Sequence, residues 1–516
     1  MRDIRNFIQD LDEKGLLQRI TRKIDKDTEL MPLVRVQYDA LDDEDRKAFL
    51  FENVTDPRGK TYNGSVAVSL LGTKDVYACA VGCERDQLRE RITNGISNPI
   101  EPVMIAEGEE APSREEVHIG DSLLEHEGLL EFPVPISTLG FDPAPFFTAP
   151  YWITKDPVTG GRNVGTYRAM IKEPAKTGIM ISPPNQLGIQ WRMCKAMGIP
   201  YLEAAMVIGA PIEVGMVSVS GLPYGVDELA VAGGIVGRPL RLTKGLTVDL
   251  DVPADAEIII EGRIMTDGLE EEGPFGEFSG YMGMPGMHPV FEVTSISHRK
   301  NPVYQAIISE VPPSESSVMR AVFVEAQLYK LLKKDMGITG ITDVAVHDTA
   351  GSNNLCVIQI DKKGPAQVWQ ALHAVSAFTP TFGKIVIAVD PDIDPYNAEL
   401  INWAMCYHMQ PHRDIEILKG KVGVLDPSCA PADASPMEQA YPMPNGNSIM
   451  LIDATRKWPY PPISLPPKDV MENAFKIWDE EGLPKVKPRK IWYGYELGLW
   501  DDELRQKAKD AVKTEK

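Results

Sequence analysis

Long apolar runs are missing from these 516 residues. None approaches the ~20 consecutive apolar residues of a spanning helix, and the opening Met-Arg-Asp-Ile-Arg-Asn-Phe lacks the apolar core of a signal peptide. The expectation is a cytoplasmic protein that works away from membranes. Basic charge is also short: 53 Lys and Arg face 74 Asp and Glu, for a net charge of −21. That balance argues against nucleic acid or an anionic membrane surface as the main partner, and it leaves room for a small anionic substrate in a locally basic pocket. Cysteine is scarce. Six residues (Cys79, Cys83, Cys194, Cys356, Cys406, Cys429) are scattered along the chain, which predicts free thiols in a reducing compartment. Cys79 and Cys83 have neither a second pair nor nearby histidines, so they do not suggest zinc. Among eight histidines only His408 and His412 have i, i+4 spacing, and Pro411 opposes the helix that would align them. No P-loop, no Gly-x-Gly-x-x-Gly after a strand and no Ser-His-Asp set can be assembled.

What is present suits a chain of two to four domains. Residues 3–20 place Ile4, Phe7, Ile8, Leu11 and Leu16 on roughly one face, which predicts an amphipathic helix. A helix is expected over 29–41, a strand over 66–71 and a helix over 85–93, followed by a polar connector over 98–120. Beyond residue 132, short apolar runs at 151–154, 167–172, 205–208, 240–242, 257–260, 290–295 and 303–308 alternate with Pro/Gly turns. This is the pattern of a β-barrel or sandwich. One helix, near 185–197, interrupts it. After residue 312, helices at 317–332 and 364–377 alternate with strands at 355–359 and 384–389, which predicts an α/β domain. Residues 426–468 read as a long proline-rich loop and 502–513 as a terminal helix. The fold class is therefore α/β and multi-domain, divided at 1–120, 121–312 and 313–516.

Six stretches carry chemistry. The segment Asp267-Gly-Leu-Glu-Glu-Glu-Gly-Pro-Phe-Gly-Glu-Phe-Ser-Gly-Tyr281 sets Glu270, Glu271, Glu272 and Glu277 in a shaped loop, where crowded or buried carboxyls hold protons near neutrality. Gly160-Gly-Arg-Asn-Val-Gly-Thr-Tyr-Arg168 offers an amide oxygen at Asn163 and a planar guanidinium at Arg168. Pro183-Pro-Asn-Gln-Leu-Gly opens a helix with an amide pair, Asn185 and Gln186. Ser218-Val-Ser-Gly-Leu-Pro-Tyr-Gly-Val-Asp-Glu228 groups hydroxyls and acids that suit a hard cation. Phe382-Gly-Lys384 opens an apolar strand ending in Asp390, Asp392 and Asp394, which are expected to cap a turn or helix, and Gln410-Pro-His-Arg-Asp414 adds a second candidate anion binder, Arg413. Taken singly, 267–281 and 160–168 read as solvated surface, 183–188 as a helix start with a hydrogen-bonded amide pair, and 218–228 equally as an ordinary strand and turn.

Together, Asn163-x-x-x-x-Arg168, Asp227-Glu228-x-x-x-Ala-Gly-Gly, Glu272-Gly-Pro-Phe-Gly-Glu277, Lys384 with Asp-Ile-Asp, Gln-Pro-x-Arg-Asp and Ile452-Asp-Ala-Thr resemble the UbiD-type decarboxylases, which use prenylated FMN. The likeness runs from the first helix to about Thr455. It implies an N-terminal α/β domain, a central split β-barrel for the flavin and a C-terminal α/β domain for homo-oligomerisation as dimers or hexamers. It implies a catalytic network of Arg168, Glu272 and Glu277. Asn163 and Glu228 match ligands of a divalent metal, typically Mn²⁺ with Mg²⁺ or Fe²⁺ as alternatives, and K⁺ would lie near Val164, Ser218 and Ser220. Thr148, Thr166 and Asn185 match cofactor surroundings, as do Lys384 and, next to the metal, Arg413. The family's third metal ligand is usually histidine; here Gln186 stands in that context and offers a carbonyl oxygen, making an all-oxygen site. A flavin prenyltransferase would supply the cofactor.

The implied reaction loses CO₂ from an sp² carbon, whose electrons need an organic sink. Arg168 would place the substrate carboxylate, Glu272 would orient Arg168, and protonated Glu277 would deliver a proton to the carbon. The substrate is expected to be an aromatic or α,β-unsaturated acid, with Asn185, Phe278 and residues 429–436 lining its pocket. An aromatic acyl-CoA thioester, a non-catalytic subunit of a carboxylase and a flavin oxidoreductase are the alternatives.

Overall fold

A computed structural model describes residues 3–181, 185–421, 423, 425–429, 447–486 and 499–512. Pro183, Pro184 and most of the 429–436 segment lie outside the described residues. The chain forms two compact units, one of residues 1–330, 346–354 and 420–447 and one of 331–345, 355–419 and 448–516.

The first unit is built on a nine-stranded sheet whose pairings are all antiparallel. Its order is Arg162–Thr166, Tyr151–Lys155, Tyr201–Ile208, Ile258–Met265, Val290–His298, Lys176–Ile179, Ala169–Glu173 and Phe146–Phe147, with Glu116–Ile119 also paired to Val290–His298. Strands Arg162–Thr166 and Ala169–Glu173 are consecutive in the chain yet lie first and seventh in this order. Only Tyr167 and Arg168 join them, a reach of about 11 Å at ~3.8 Å per residue. In a flat sheet the same strands would be about 29 Å apart at ~4.8 Å per strand. The sheet must therefore curl into a half-barrel, and Tyr167–Arg168 bridges its opening. Trp152, fully buried inside the curl, donates its indole N–H to the Tyr167 carbonyl at 2.7 Å and meets the Phe291 ring edge-on at 4.9 Å.

Both faces of this sheet are covered. Trp152, Ala204, Met206, Ile208, Ile258 and Ile260 point into the barrel. Tyr151, Ile153, Ala205, Val207 and Ile259 point outward, into a second core shared with helices Lys74–Val81, Leu88–Ser97, Ile212–Val217, Glu228–Val236 and Glu315–Tyr329. Double coverage turns strands into continuous apolar runs instead of alternating ones. The parity changes within strand Val290–His298. Between Glu261↔Ser295 and Gly262↔Val293 the register slips, leaving Thr294 as the extra residue, so Ile296 and then Val293 and Phe291 face inward. Opposite the bulge, a Cβ on Gly262 would stand 2.1 Å from the Glu292 carbonyl oxygen.

Several expected elements change. The first helix is Ile4–Glu13, not 3–20: Gly15 takes φ 70°, the Leu16 N–H returns to Leu11 O at 2.8 Å, and Leu17–Ile20 becomes a strand. The connector 98–120 holds Val103–Met104 and Glu116–Ile119, the latter a member of the large sheet. The run at 303–308 supplies Val303–Ala306, which pairs in parallel with Ser65–Val68 in a separate four-stranded sheet with Leu17–Ile20 and Ala48–Phe51. The first helix is tied down by Arg5, which donates to the fully buried Glu257 at 2.8 and 2.7 Å.

The second unit is α/β, with a five-stranded sheet ordered Ile341–Val346, Leu355–Ile360, Ile385–Val389, Ser448–Ala454 and Ile415–Lys419. Part of the expected loop 426–468 is thus a central strand. Its seven residues were hidden by the prolines on either side. Helix Pro365–Ser376 appears as expected, and the terminal helix runs Asp502–Ala511. Of the three aspartates, Asp394 caps a turn at Tyr396, whereas Asp390 and Asp392 hold Arg456 instead. Gly262→Ala should destabilise the half-barrel by about 1–3 kcal/mol through overpacking at the bulge, measured by urea unfolding; an unchanged midpoint would mean that the register slip tolerates a side chain.

Candidate active site

The acidic segment 267–281 folds into two short ribbons: Glu270–Glu272 pairs with Gly286–His288, and Phe275–Gly276 with Met282–Gly283. Strand alternation sorts the glutamates. Glu271 is exposed, while Glu272 turns inward and is fully buried. Glu270, on the same side as Glu272 but nearer the edge, pairs with Lys176 at 3.1 Å and Lys172 at 3.2 Å. The Gly273–Pro274 bond between the ribbons is cis. Glycines leave space for the acids: a Cβ on Gly178 would stand 2.9 Å from Glu272 Cγ, and one on Gly283 would stand 3.1 Å from Glu277 Cγ.

Arg168 lies at the bridge across the barrel opening, and the inward acids meet it there. Its Nε and Nη2 donate to Glu272 Oε1 and Oε2 at 3.0 and 2.8 Å, a two-point fork. Its Nη1 donates to Glu277 Oε1. The guanidinium carbon stands 5.2 Å from the centre of the Phe275 ring. Burial works against the Arg168 charge, but Glu277 and Glu272 outweigh it and hold the guanidinium above its ordinary value. Burial pushes Glu277 above the usual carboxylate range, against the pull of Arg168 and Arg320. His288, beside Glu272, is held below the ordinary imidazole value by burial. A carboxyl whose proton affinity is raised by burial, oriented by a fixed cation, is equipped to give a proton to a neighbouring atom.

A second group of polar atoms surrounds strand Arg162–Thr166. Asn163 is buried, and its amide N–H reaches Thr154 Oγ1 at 3.3 Å. Glu228, first residue of helix Glu228–Val236, is buried and accepts from Val164 N–H at 3.0 Å. Burial raises its carboxyl to about 7. Thr166 and Ser218 hydroxyls are 2.7 Å apart, and the Thr166 N–H reaches Ser218 O at 3.1 Å. Ser220 Oγ is buried without a hydrogen-bond partner among the described residues. Gln186 spends its amide N–H on Leu222 O at 2.9 Å, which leaves its carbonyl oxygen available. A burial-strained carboxyl, two amide oxygens and an orphaned hydroxyl fit a hard cation better than they fit each other.

The sequence matches the three domains of the 3-octaprenyl-4-hydroxybenzoate carboxy-lyase family: N-terminal over residues 8–95, Rift-related over 106–312 and C-terminal over 317–454. The chain belongs to this UbiD family of carboxy-lyases. It is 29% identical to the UbiD-class enzyme HmfF from Pelotomaculum thermopropionicum. The structure of that enzyme with FMN superposes at a TM-score of 0.78 over 92% of this chain and 100% of that one. An evolved dimeric form of HmfF with prFMN gives a TM-score of 0.76 at 29% identity over 90% and 97% of the two chains. An uncharacterized protein of Archaeoglobus fulgidus is 29% identical over 474 residues, 88% of this chain and 92% of that one.

Within this UbiD fold, the structure gathers Arg168, Glu272 and Glu277 directly. Asn163, Val164, Thr166, Ser218 and Glu228 share one strand and the elements bonded to it. Asn185 caps helix Gln186–Ala196 by accepting from Gly188 N–H at 2.7 Å. Thr148 is buried, its hydroxyl accepting from Ile307 N–H at 2.9 Å. Lys384 and Arg413 belong to the second unit, where Arg413 pairs with Asp414 at 2.8 Å. Three residues near the acids escaped the sequence reading. Arg320, on helix Glu315–Tyr329, stacks 4.1 Å over the Phe278 ring and makes no hydrogen bond among the described residues. Asp142 and Glu310 are raised to about 6 and about 7 by burial. Their sequence neighbours are unremarkable, and only the fold brings them near the site.

Removing the cation leaves two carboxylates facing each other without compensation. Arg168→Met should therefore lower the unfolding free energy by about 3–5 kcal/mol, and adding Glu272→Gln should restore part of that loss. Urea titration of the single and double variants checks both; equal stability of Arg168→Met and the unaltered protein would show that the acids find other partners.

Proposed function

We propose that this chain catalyses reversible, non-oxidative decarboxylation of an aromatic or α,β-unsaturated carboxylic acid with prenylated FMN, Glu277 serving as the proton donor. The carrying observation is the Arg168 guanidinium fixed by a two-point bond to Glu272 while Glu277, on its other side, is raised by burial. HmfF structures in complex with FMN and with prFMN support a flavin cofactor for this chain. Bound prenylated FMN would supply the electron sink that no side chain offers. Thr148, Thr166, Asn185 and Lys384 are the proposed flavin contacts, with Asn163, Gln186 and Glu228 as oxygen ligands of a divalent ion, Mn²⁺ with Mg²⁺ or Fe²⁺ as alternatives. Val164, Ser218 and Ser220 would hold K⁺, with Arg413 as a neighbour. The reading includes a homo-oligomer, three domains divided at residues 120 and 312, and a flavin prenyltransferase as cofactor source.

The side chains divide the work. Glu272 occupies one edge of Arg168 and keeps its plane fixed. Arg168 aims Glu277 through Nη1. Glu277 protonates the carbon that has lost CO₂, and in the carboxylation direction it takes that proton back. Because Arg168 is committed to both glutamates, the substrate carboxylate is better received by Arg320, whose N–H groups make no hydrogen bond among the described residues and whose guanidinium stacks on Phe278. The assembled Arg168–Glu272–Glu277 set argues against a non-catalytic subunit.

Co-expression with a flavin prenyltransferase, followed by mass and absorption spectra of the bound cofactor, tests the core of this reading; recovery of unmodified FMN, or of none, defeats it. Glu277→Gln should lower kcat by at least about 100-fold with the flavin still bound. The sign of the pH effect follows from the upward shift: the donor form survives above the ordinary carboxylate range and is lost as pH rises further. The decarboxylation rate should therefore fall on the alkaline limb, and a flat profile there would remove Glu277 from the donor role. Arg320→Leu should raise KM by about 10–100-fold with the flavin spectrum unchanged, and an unaltered KM would return the carboxylate to Arg168.

A further inference from the structure

Strand Val290–His298 begins near Arg168, since its first residue pairs with Gly178, which in turn pairs with Met170, two residues from Arg168. Its other end is about 25 Å away at ~3.3 Å per residue. There, three separate segments converge. Strand Glu116–Ile119 pairs with it so that His118 lies opposite Ile296, and Glu116 opposite His298. His118 and His298 thus sit diagonally on one face. The turn Gly128–Glu131 brings Glu131 over both. The two Nε2 atoms are 3.3 Å apart; Glu131 Oε1 is 3.4 Å from His298 Nε2, and Oε2 is 3.6 Å from His118 Nε2. Both histidines are buried, and Glu131 is partly so.

These spacings have a physical reading. Around a tetrahedral zinc ion with bonds of about 2.0–2.1 Å, neighbouring ligand atoms are about 3.3–3.4 Å apart. The His298 ring is also set for ligation. Its Nδ1 lies 2.8 Å from the Arg299 carbonyl, so a neutral ring donates there and turns the Nε2 lone pair toward the centre. His126 stacks on His118 with ring centres 4.0 Å apart, and Phe132 packs edge-on against His298 at 5.4 Å. A purely protonic arrangement serves the cluster less well, because Glu131 Oε2 remains buried without a hydrogen bond among the described residues. A cavity of about 560 Å³, lined by these residues together with Lys60, Tyr62 and Asn63, opens beside the three ligand atoms.

We propose that His118, Glu131 and His298 form a second metal site, a two-histidine, one-carboxylate centre for Zn²⁺ or a similar transition ion, with its fourth position facing this cavity. Imidazole donors separate it chemically from the all-oxygen group at Asn163, Gln186 and Glu228, which suits harder ions. Bound metal would clamp the 116–119 strand and the 128–131 turn onto the half-barrel. The site stands apart from the decarboxylase reading and needs neither substrate nor flavin.

The test uses full-length protein stripped with a chelator, titrated with Zn²⁺ and with Co²⁺ as a spectroscopic probe. X-ray absorption of the zinc-loaded form then reports imidazole ligation. One ion per chain with two histidine nitrogens is expected, and Glu228→Gln should leave it in place. His118→Ala and His298→Ala should abolish it. Glu131→Gln, the mildest change at a partly exposed position, should weaken Zn²⁺ by more than the roughly 10–100-fold that a lost outer-sphere partner costs. Absence of imidazole-ligated metal in the unaltered protein, or unchanged affinity in Glu131→Gln, overturns the proposal even if a histidine variant fails to fold.

Discussion

A buried cation held between two carboxylates is the constraint around which the first unit is arranged. Arg168 can be buried only because Glu272 and Glu277 compensate it, and Glu272 can be fully buried only because Arg168 faces it. The pair Arg168–Glu272 is symmetric and static: two bonds, one plane, no freedom. Glu277 is the unequal partner. It shares the cation with a competitor that holds it by two contacts, and burial acts on it against its charge. One cation therefore holds Glu272 by a two-point bond and leaves Glu277, pushed up by burial, as the proposed proton donor.

The position of this triad depends on the curl of the sheet. Tyr167 and Arg168 are the only residues between the first and seventh strands of the sheet, so the chain cannot close the half-barrel without placing Arg168 at its opening. The ribbons at 270–272 and 275–276 then need only to fold over that opening. Glycines at 178 and 283 are as much part of the geometry as the charged groups, because a methyl at either place would press on a glutamate.

Much of this was legible in the sequence, and what was not has physical causes. Arg168, Glu272 and Glu277 were named from local motifs, and the β-rich centre from the recurrence of short apolar runs. The helix expected over 3–20 failed because Leu16 continues the apolar spacing after Gly15 has already turned the chain. The connector 98–120 looked featureless because its strands are two and four residues long and one of them is mostly exposed. Simple alternation breaks at Thr294, where an extra residue changes which side chains face inward, and no composition rule announces a bulge. Arg320, Asp142 and Glu310 have no motif; their roles come from what lies beside them after folding. The same holds for His118, Glu131 and His298, whose separations of 13 and 167 residues match no metal-binding spacing.

Arg320 has a consequence for turnover. On the proposed chemistry, the group it attracts is the one the reaction removes. A monocarboxylate enters as an anion and leaves as a neutral molecule, so the attraction that draws it in is gone once CO₂ departs. Substrate and product then differ in affinity without any moving part. The forward reaction clears its own site, while the reverse reaction must begin from a neutral compound that this cation does little to recruit.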